Sequence, residues 1–120
     1  MDRLAGMLGL AKKAGRLAAG SAAAIDAIRG GKARIVLIAC DASANSKKQL
    51  MDKAAFRKVR AEQIHLTTEQ LGRALGKART AAVALTDDGF LAAYEKQKAA
   101  SDAGTAAQNS RKVVSYGNDQ

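Results

Sequence analysis

The sequence predicts a single α/β domain in which helices cover both faces of a β-sheet. Segments with helical periodicity alternate along the chain with short segments rich in Val, Ile and Leu, which is typical of an α/β layer. The clearest strand, Arg34–Cys40, is a nearly continuous apolar run, as expected of a strand buried on both faces. A chain of 120 residues has room for one hydrophobic core.

The first part of the chain predicts two helices joined by a short extended piece. Asp2 can cap a helix that runs to about Ala14, with Gly15 after its end. Leu17–Ala19 is a short extended segment, and Ser21 caps a second helix that ends at Gly30. The buried face of this second helix is formed by Ile25 and Ile28.

The rest of the chain continues the alternation. Thr67 or Thr68 caps a short helix through Leu75, because Thr-Thr-Glu-Gln before an apolar run resembles a capping box. The other predicted elements are a helix over Ser46–Lys58 with Leu50, Met51 and Ala54 inward, a strand over Gln63–Leu66, a strand over Thr80–Leu85, a turn over Thr86–Gly89 and a helix over Phe90–Lys98.

Composition separates a folded domain from a tail. From Ala99 onward the residues are mainly Ala, Ser, Gly, Asn, Asp and Gln, so we expect a domain over 1–98 and a flexible tail over 99–120. The charges of the tail cancel, and the formal charge of +9 therefore lies within 1–98.

The charge indicates the kind of partner. Nucleic acid is the first candidate for a chain with a pI near 10.1, and an anionic membrane surface is the second. No apolar run approaches the ~20 residues of a spanning helix, and the N-terminus is not a signal peptide. We therefore expect a cytoplasmic protein without membrane association. With two Phe, two Tyr and no Trp, aromatic stacking on bases is hardly available.

The sequence offers few catalytic or metal-binding groups. His65, the only histidine, fits a structural role better than that of general base or ligand. Cys40 ends a buried strand and predicts an inert thiol. Asp87-Asp88 could form a Mg²⁺ site, although an Asx cap before the last helix is favoured. We predict no catalytic residue, no metal and no cofactor.

The stretch Gly15–Gly31 is the best candidate for binding an anion. Its helix begins at a glycine and a serine, and helix N-termini carry free N–H groups and partial positive charge. Arg16, Lys32 and Arg34 flank this helix and the following strand, and they are candidate phosphate contacts.

Several segments in order resemble the kink-turn-binding ribosomal protein family, the large-subunit L-seven-Ae type that includes the L-thirty proteins, and above all its short bacterial branch. The resemblance covers about residues 3 to 98 and is carried by Gly15–Ser21, Ile28–Ala39, Leu71–Gly76 and Val83–Gly89. It implies a three-layer α/β/α sandwich with a four-stranded mixed sheet, in which Leu17–Ala19 is the fourth strand. It also implies binding of structured RNA such as a kink-turn or ribosomal RNA.

In this family the start of the second helix carries a Gly-x-Asn-Glu pattern, with a lysine three residues after the Glu. Gly20 and Ser21 match its beginning, whereas Ala22, Ala23 and Asp26 stand at the positions of Asn, Glu and Lys. The resemblance therefore implies RNA binding with altered or relaxed specificity, because the side chains that would read base edges are missing.

The family's second contact is the loop after the last strand. It corresponds to Leu85–Gly89 here, so Thr86, Asp87 and Gly89 are candidate RNA contacts. The leading hypothesis is a non-catalytic RNA-binding protein with ribosomal or translation-factor partners. The alternatives are a protein-interaction module of the translation machinery and a domain detached from an RNA-modifying enzyme.

Overall fold

A computed structural model describes residues 2–109, with the backbone alone over 101–109. The described chain contains the elements α1 (Arg3–Lys13), β1 (Leu17–Ala19), α2 (Ser21–Arg29), β2 (Ile35–Ile38), α3 (Ala44–Phe56), β3 (Arg60–Gln63), α4 (Thr68–Ala74), β4 (Ala82–Leu85) and α5 (Asp88–Asn109). Helices and strands alternate throughout, as predicted.

The four strands form one mixed sheet in the order β1-β4-β2-β3. β4 is antiparallel to both β1 and β2, whereas β2 and β3 are parallel. Leu17 lies beside Leu85, and Ala19 beside Val83, so β1 begins where β4 ends. The four-stranded mixed sheet, with Leu17–Ala19 as its fourth strand, is therefore confirmed.

Hydrophobic cores lie on both faces of the sheet, which confirms the three-layer α/β/α sandwich. Ile35 and Leu37 of β2 point into the core under α1, α4 and α5, which also includes Leu8, Leu71 and Tyr94. Val36 and Ile38 point the other way, into an alanine-rich core under α2 and α3 that includes Ala24, Ile28, Leu50 and Ala54. β2 is buried along its whole length because side chains alternate between two covered faces.

Three details of α2 and α3 differ from the sequence prediction. The N-cap of α2 is Gly20 rather than Ser21, and no side chain caps this helix. α3 begins at Ala44 with Ser43 as its cap, and the Ser43 hydroxyl accepts a hydrogen bond from the Ser46 N–H. Met51 was predicted to face inward but is 40% exposed, because the buried face of α3 is formed by Leu50 and Ala54.

The prediction of a strand over Gln63–Leu66 was wrong in its position along the chain, because the strand ends at Gln63. β3 is the polar segment Arg60–Gln63, an edge strand whose side chains form ion pairs with each other and with α5. Ile64 and Leu66 are buried, which produced the apolar signal, but they lie beyond the ladder.

The capping box at α4 is confirmed. The Thr67 hydroxyl accepts from the Gln70 N–H, and the Gln70 side chain accepts from the Thr67 N–H. α5 starts earlier and ends later than the predicted Phe90–Lys98, because it includes Asp88 and extends through residues 99–109. The flexible tail over 99–120 stays a prediction, since residues 110–120 lie outside the described chain.

Candidate nucleic-acid interface

The N-terminus of α2 presents free backbone donors. Gly20 has a φ of 100°, a conformation that favours glycine, and its N–H donates to the Ala82 carbonyl at 2.9 Å. The first hydrogen bond of the helix is donated by Ala24 to the Gly20 carbonyl. Among the described residues, therefore, no acceptor meets the N–H groups of Ser21, Ala22 and Ala23. Such a helix start is suited to an anion.

The bond between Gly20 and Ala82 places this helix start beside the beginning of β4. At the same end, the Ala39 N–H donates to the Ala81 carbonyl at 2.8 Å, and the Lys47 ammonium donates to the Cys40 carbonyl at 2.9 Å. We call this side of the sheet the α2 end. It comprises the start of α2, the β2–α3 loop, the start of α3 and the α4–β4 loop.

The α4–β4 loop carries two further exposed cations, Lys77 and Arg79, and Arg79 lies at the α2 end beside Asp41. The loop is held close to α4 because Gly72 has no side chain. A Cβ on Gly72 would lie 1.9 Å from the Ala78 carbonyl oxygen. The Lys77 N–H donates to the Gly72 carbonyl at 2.8 Å, which fixes the start of the loop.

Asp41 ties the β2–α3 loop to α4 and to Arg79. Its carboxylate accepts from the Thr68 N–H at 2.6 Å and from the Thr68 hydroxyl at 3.3 Å. The Arg79 guanidinium lies 3.6 Å from the same carboxylate. The hydrogen bond from the Thr68 backbone is the main reason why the pKa of Asp41 is lowered, and the nearby Arg79 charge adds to it. The hydrogen bonds from Thr68 therefore fix the Asp41 carboxylate, and its negative charge orients Arg79 at this end.

The other predicted contacts lie at the opposite end of the sheet. The Thr86 N–H donates to the Arg16 carbonyl at 3.0 Å, and the Arg34 N–H donates to the Leu85 carbonyl at 2.7 Å. Lys32 follows the C-terminus of α2 and lies on the same side. We call this side the β4 end, because β4 ends there at the predicted loop Thr86–Gly89.

Acidic side chains partly neutralise the β4 end. The Arg16 guanidinium lies 4.0 Å from Asp87, and that of Arg34 lies 2.9 Å from Asp88. Asp87 also accepts from the Phe90 N–H at 3.1 Å, which confirms the predicted Asx cap. Lys32 has no ion-pair partner among the described side chains.

The structure therefore divides the ten predicted contact residues into two groups. Gly20–Ala23 lie at the α2 end, whereas Arg16, Lys32, Arg34, Thr86, Asp87 and Gly89 lie at the β4 end. The four residues of β4 separate the groups by about 13 Å. They form two surfaces rather than one.

Sequence reasoning did not place Lys47 and Arg79 at the α2 end, or Lys77 on the loop that adjoins it. Their positions in the sequence do not specify an end of the sheet. The signal that could have found them is topological. An antiparallel β1–β4 pair leading directly into α2 places the helix start beside the residues that precede β4.

The groups considered for catalysis or metal binding have structural partners. His65 lies in an exposed loop rather than in a strand, and its Nε2 is 2.6 Å from an Asp2 carboxylate oxygen. The Cys40 thiol faces the His65 carbonyl at 3.5 Å. Within the part of the chain that the structure describes, no three or more His, Cys, Asp or Glu side chains are grouped to hold a metal ion. The same part contains no helix with the length and apolarity needed to span a bilayer.

Comparison with known proteins gives a family and named relatives. A sequence model of the ribosomal protein L7Ae/L30e/S12e/Gadd45 family matches residues 2–95. The RNA-binding protein YlxQ of Bacillus subtilis (strain 168) is 38% identical over 84 residues, which cover 70% of this chain and 83% of YlxQ. The protein of the same name from Enterococcus faecium is 37% identical over 84 residues, covering 70% and 80%.

Solved structures share the fold. A protein of unknown function from Bacillus halodurans C superimposes with a TM-score of 0.69 at 29% identity, covering 75% of this chain and 90% of that one. The 15.5kD RNA binding protein of Giardia lamblia superimposes with a TM-score of 0.57 over 70% and 71% of the two chains. At 20% identity, this second likeness concerns the fold alone.

Proposed function

Because the chain belongs to the ribosomal protein L7Ae/L30e/S12e/Gadd45 family, we propose that it is a non-catalytic RNA-binding protein whose main contact with structured RNA is the α2 end of the sheet. The relatives named as RNA-binding proteins support RNA as the ligand class. The net charge of +9 supports the same class, because a polyanion is attracted by it.

The observation that carries the location is the grouping of free donors with cations. Three consecutive N–H groups at Ser21, Ala22 and Ala23 are without acceptors among the described residues, and Lys77 and Arg79 lie on the adjoining loop. A phosphate at the helix start would gain backbone hydrogen bonds and the helix dipole. The loop cations would contact neighbouring phosphates and fix the orientation of the RNA.

The side chains of α2 favour recognition of shape over recognition of sequence. Ala22 and Ala23 carry no polar atom that could read a base edge. Asp26 is exposed on the first turns of the helix, 3.8 Å from Arg29, and would repel a nearby phosphate. We therefore propose altered or relaxed specificity compared with kink-turn binders that carry Asn, Glu and Lys at these positions.

The residues of the β4 end belong to a second, weaker part of this proposal. Arg16 and Arg34 would compete for phosphate with their ion pairs to Asp87 and Asp88. The Arg34–Asp88 pair is exposed, and Asp87 is half-buried beside the exposed Arg16. A phosphate can therefore replace these carboxylates, but it loses part of its interaction energy in doing so. An RNA long enough to cross the sheet would thus gain extra contacts from Lys32 and from the backbone of Thr86 and Gly89.

Matched charge reversals test the location. Lys77→Glu reverses a charge on the α4–β4 loop of the α2 end, whereas Lys96→Glu makes the same change at an exposed position of α5. Fluorescence anisotropy with a kink-turn RNA and a straight RNA duplex measures affinity at several salt concentrations. We expect Lys77→Glu to weaken binding roughly fivefold and to reduce the salt slope by about 1, and Lys96→Glu to leave both nearly unchanged.

The outcomes separate ligand class from location. Binding to neither RNA at low salt, or binding independent of salt, would contradict the proposed function. Equal effects of the two charge reversals would contradict the α2 end as the contact. Partners retained in a pull-down after RNase treatment would instead favour the protein-interaction module.

A gain-of-function variant tests the specificity. The triple change Ala22→Asn, Ala23→Glu and Asp26→Lys supplies the polar groups that α2 lacks. We expect tighter binding to the kink-turn RNA and little change for the straight duplex, because new base-edge contacts act only where those edges are exposed. No preferential gain for the kink-turn would count against this placement. A cytoplasmic location and ribosomal or translation-factor partners form part of the same proposal.

A further inference from the structure

An aromatic side chain is exposed at the end of α3. Phe56, the last residue of this helix, is 82% exposed, more than any other large hydrophobic residue in the described chain. The sequence contains only two Phe and two Tyr, and one of these few aromatic rings is exposed to solvent instead of packing in a core. Tyr94, by contrast, is buried in the core. The core therefore does not explain the aromatic residue at position 56.

Cations surround this ring. A groove of about 350 Å³ between the C-terminal parts of α2 and α3 is lined by Ile28, Arg29, Asp52, Lys53, Phe56 and Arg57. The Arg57 guanidinium lies 5.8 Å from the centroid of the Phe56 ring. Lys58 follows directly, and the Asp52 carboxylate is already paired with Lys48 at 3.1 Å. Arg29 also lies 3.8 Å from Asp26, and Arg57 lies over one face of the ring, so the groove is cationic beside a ring that is still largely exposed.

We propose that this α2–α3 groove binds an unpaired base of single-stranded RNA, which stacks on Phe56 while its phosphates contact Arg29, Lys53 and Arg57. Every base has a π-face, so an exposed ring among cations suits a single strand of any sequence. A protein partner would require a larger apolar core, with charged residues depleted. Here one aromatic side chain stands among three cations, which favours nucleic acid.

The groove is far enough from the α2 end to form a separate site. α3 has 13 residues and is therefore about 20 Å long. Its first turn carries Lys47 at the α2 end, and its last residue is Phe56. A strand leaving a structured RNA bound at the α2 end could follow α3 to the groove. In its choice of RNA as ligand, this inference rests on the proposed function.

A single tryptophan can report stacking directly. The chain has no Trp, so Phe56→Trp in the full chain provides one fluorophore at the proposed site. Leu10→Trp is the matched control, because Leu10 is 62% exposed on α1 and also has lysines near it. We expect a 12-nucleotide single-stranded RNA to quench the Trp of the first variant and to leave that of the control nearly unchanged.

Two further variants separate the aromatic face from general charge. Phe56→Leu keeps an apolar side chain but removes the π-face, and it should weaken single-stranded binding between about fivefold and a hundredfold. Phe56→Tyr should retain the affinity of the native chain. Because Phe56 is exposed, neither change should alter folding, which a thermal melt verifies.

Each outcome decides the inference. Equal quenching of the two tryptophans, or full affinity of Phe56→Leu, would overturn it. A change of Trp emission with protein concentration alone would identify a second copy of the chain as the occupant and would also overturn it. If Lys77→Glu weakens the binding of structured RNA but no quenching occurs, the inference about the groove is wrong and the proposed function stands. If quenching occurs without structured-RNA binding, the groove stands and the proposed function fails.

Discussion

Gly72→Ala tests how the α4–β4 loop is held at the α2 end. Gly72 lies inside α4, where alanine is intrinsically the better helix former by about 1 kcal/mol. Propensity alone therefore predicts stabilisation. The packing predicts the opposite, because the new Cβ would lie 1.9 Å from the Ala78 carbonyl oxygen and 2.7 Å from its carbon. Both atoms belong to the backbone, so no side-chain rotation can relieve the contact.

Relief of this clash requires the loop to move away by more than about 1 Å, since real Cβ contacts below 3.0 Å are essentially absent. The movement would strain the hydrogen bond from Lys77 to the Gly72 carbonyl. Overpacking typically costs about 1–3 kcal/mol and the loss of a hydrogen bond about 1 kcal/mol, which together exceed the gain in propensity. We expect a net destabilisation of about 1–3 kcal/mol and a fall in Tm of roughly 5–20 °C.

Thermal unfolding followed by circular dichroism measures this effect, and RNA binding below both melting temperatures measures the displacement of Lys77 and Arg79. Gly30→Ala is the control, because its φ is −80° and its Cβ would lie 3.3 Å from the nearest atom. Its Tm should stay within a few degrees of that of the native chain. A Gly72→Ala variant as stable as the native chain would refute the packing argument.

Two other substitutions test the contacts that fix β3 and α4. Burial would raise the pKa of Glu62, but hydrogen bonds from Arg60, Tyr94 and Lys98 outweigh it and lower the pKa to about 2. A lowered pKa stabilises the fold above the ordinary value of 4.5, and this contribution disappears as the pH falls towards 2. In urea titrations Glu62→Gln should therefore lower the free energy of unfolding by about 1–2 kcal/mol at pH 7, after allowance for solvent screening, and by less at pH 3. A loss that does not depend on pH would contradict this explanation of the Glu62 pKa. Thr67→Ala removes the N-cap of α4 and should lower the free energy of unfolding by about 1 kcal/mol. Thr67→Ser keeps the hydroxyl, so its Tm should stay within about 2 °C of that of the native chain. Equal losses of stability in the two variants would show that the hydroxyl is not the stabilising group.

An element of the fold was predictable from the sequence where its residue pattern fits only one kind of local structure. The apolar run at Ile35–Ile38 indicated a strand covered on both faces, and the Thr67–Gln70 pattern indicated a capping box. The polar edge strand Arg60–Gln63 was not predictable in the same way, because backbone pairing with β2 and polar contacts with α5 hold it rather than burial of apolar side chains. The apolar residues just beyond it attracted the strand prediction instead.

The candidate site was harder to predict because it depends on strand direction. The sequence identified the α2 N-terminus as a candidate anion site, but only the antiparallel pairing of β1 with β4 determines which cations adjoin the helix start. That pairing places Arg79 beside the α2 end and Arg16 at the other. Sequence distance is misleading here, since Arg16 is four residues from Gly20 and Arg79 is 59 residues away.

The acidic residues explain why the two ends of the sheet should differ in their affinity for phosphate, although both ends are basic. At the β4 end, Asp87 and Asp88 lie opposite Arg16 and Arg34, so a phosphate must displace a carboxylate to contact either arginine, and only Lys32 is free of such competition among the described side chains. At the α2 end, Asp41 is already held by hydrogen bonds from Thr68, so its charge is shared between a helix start and Arg79. The free N–H groups of α2 have no competing acceptor among the described residues. An incoming phosphate therefore meets less competition at the α2 end, and this end should dominate the salt-dependent part of the affinity.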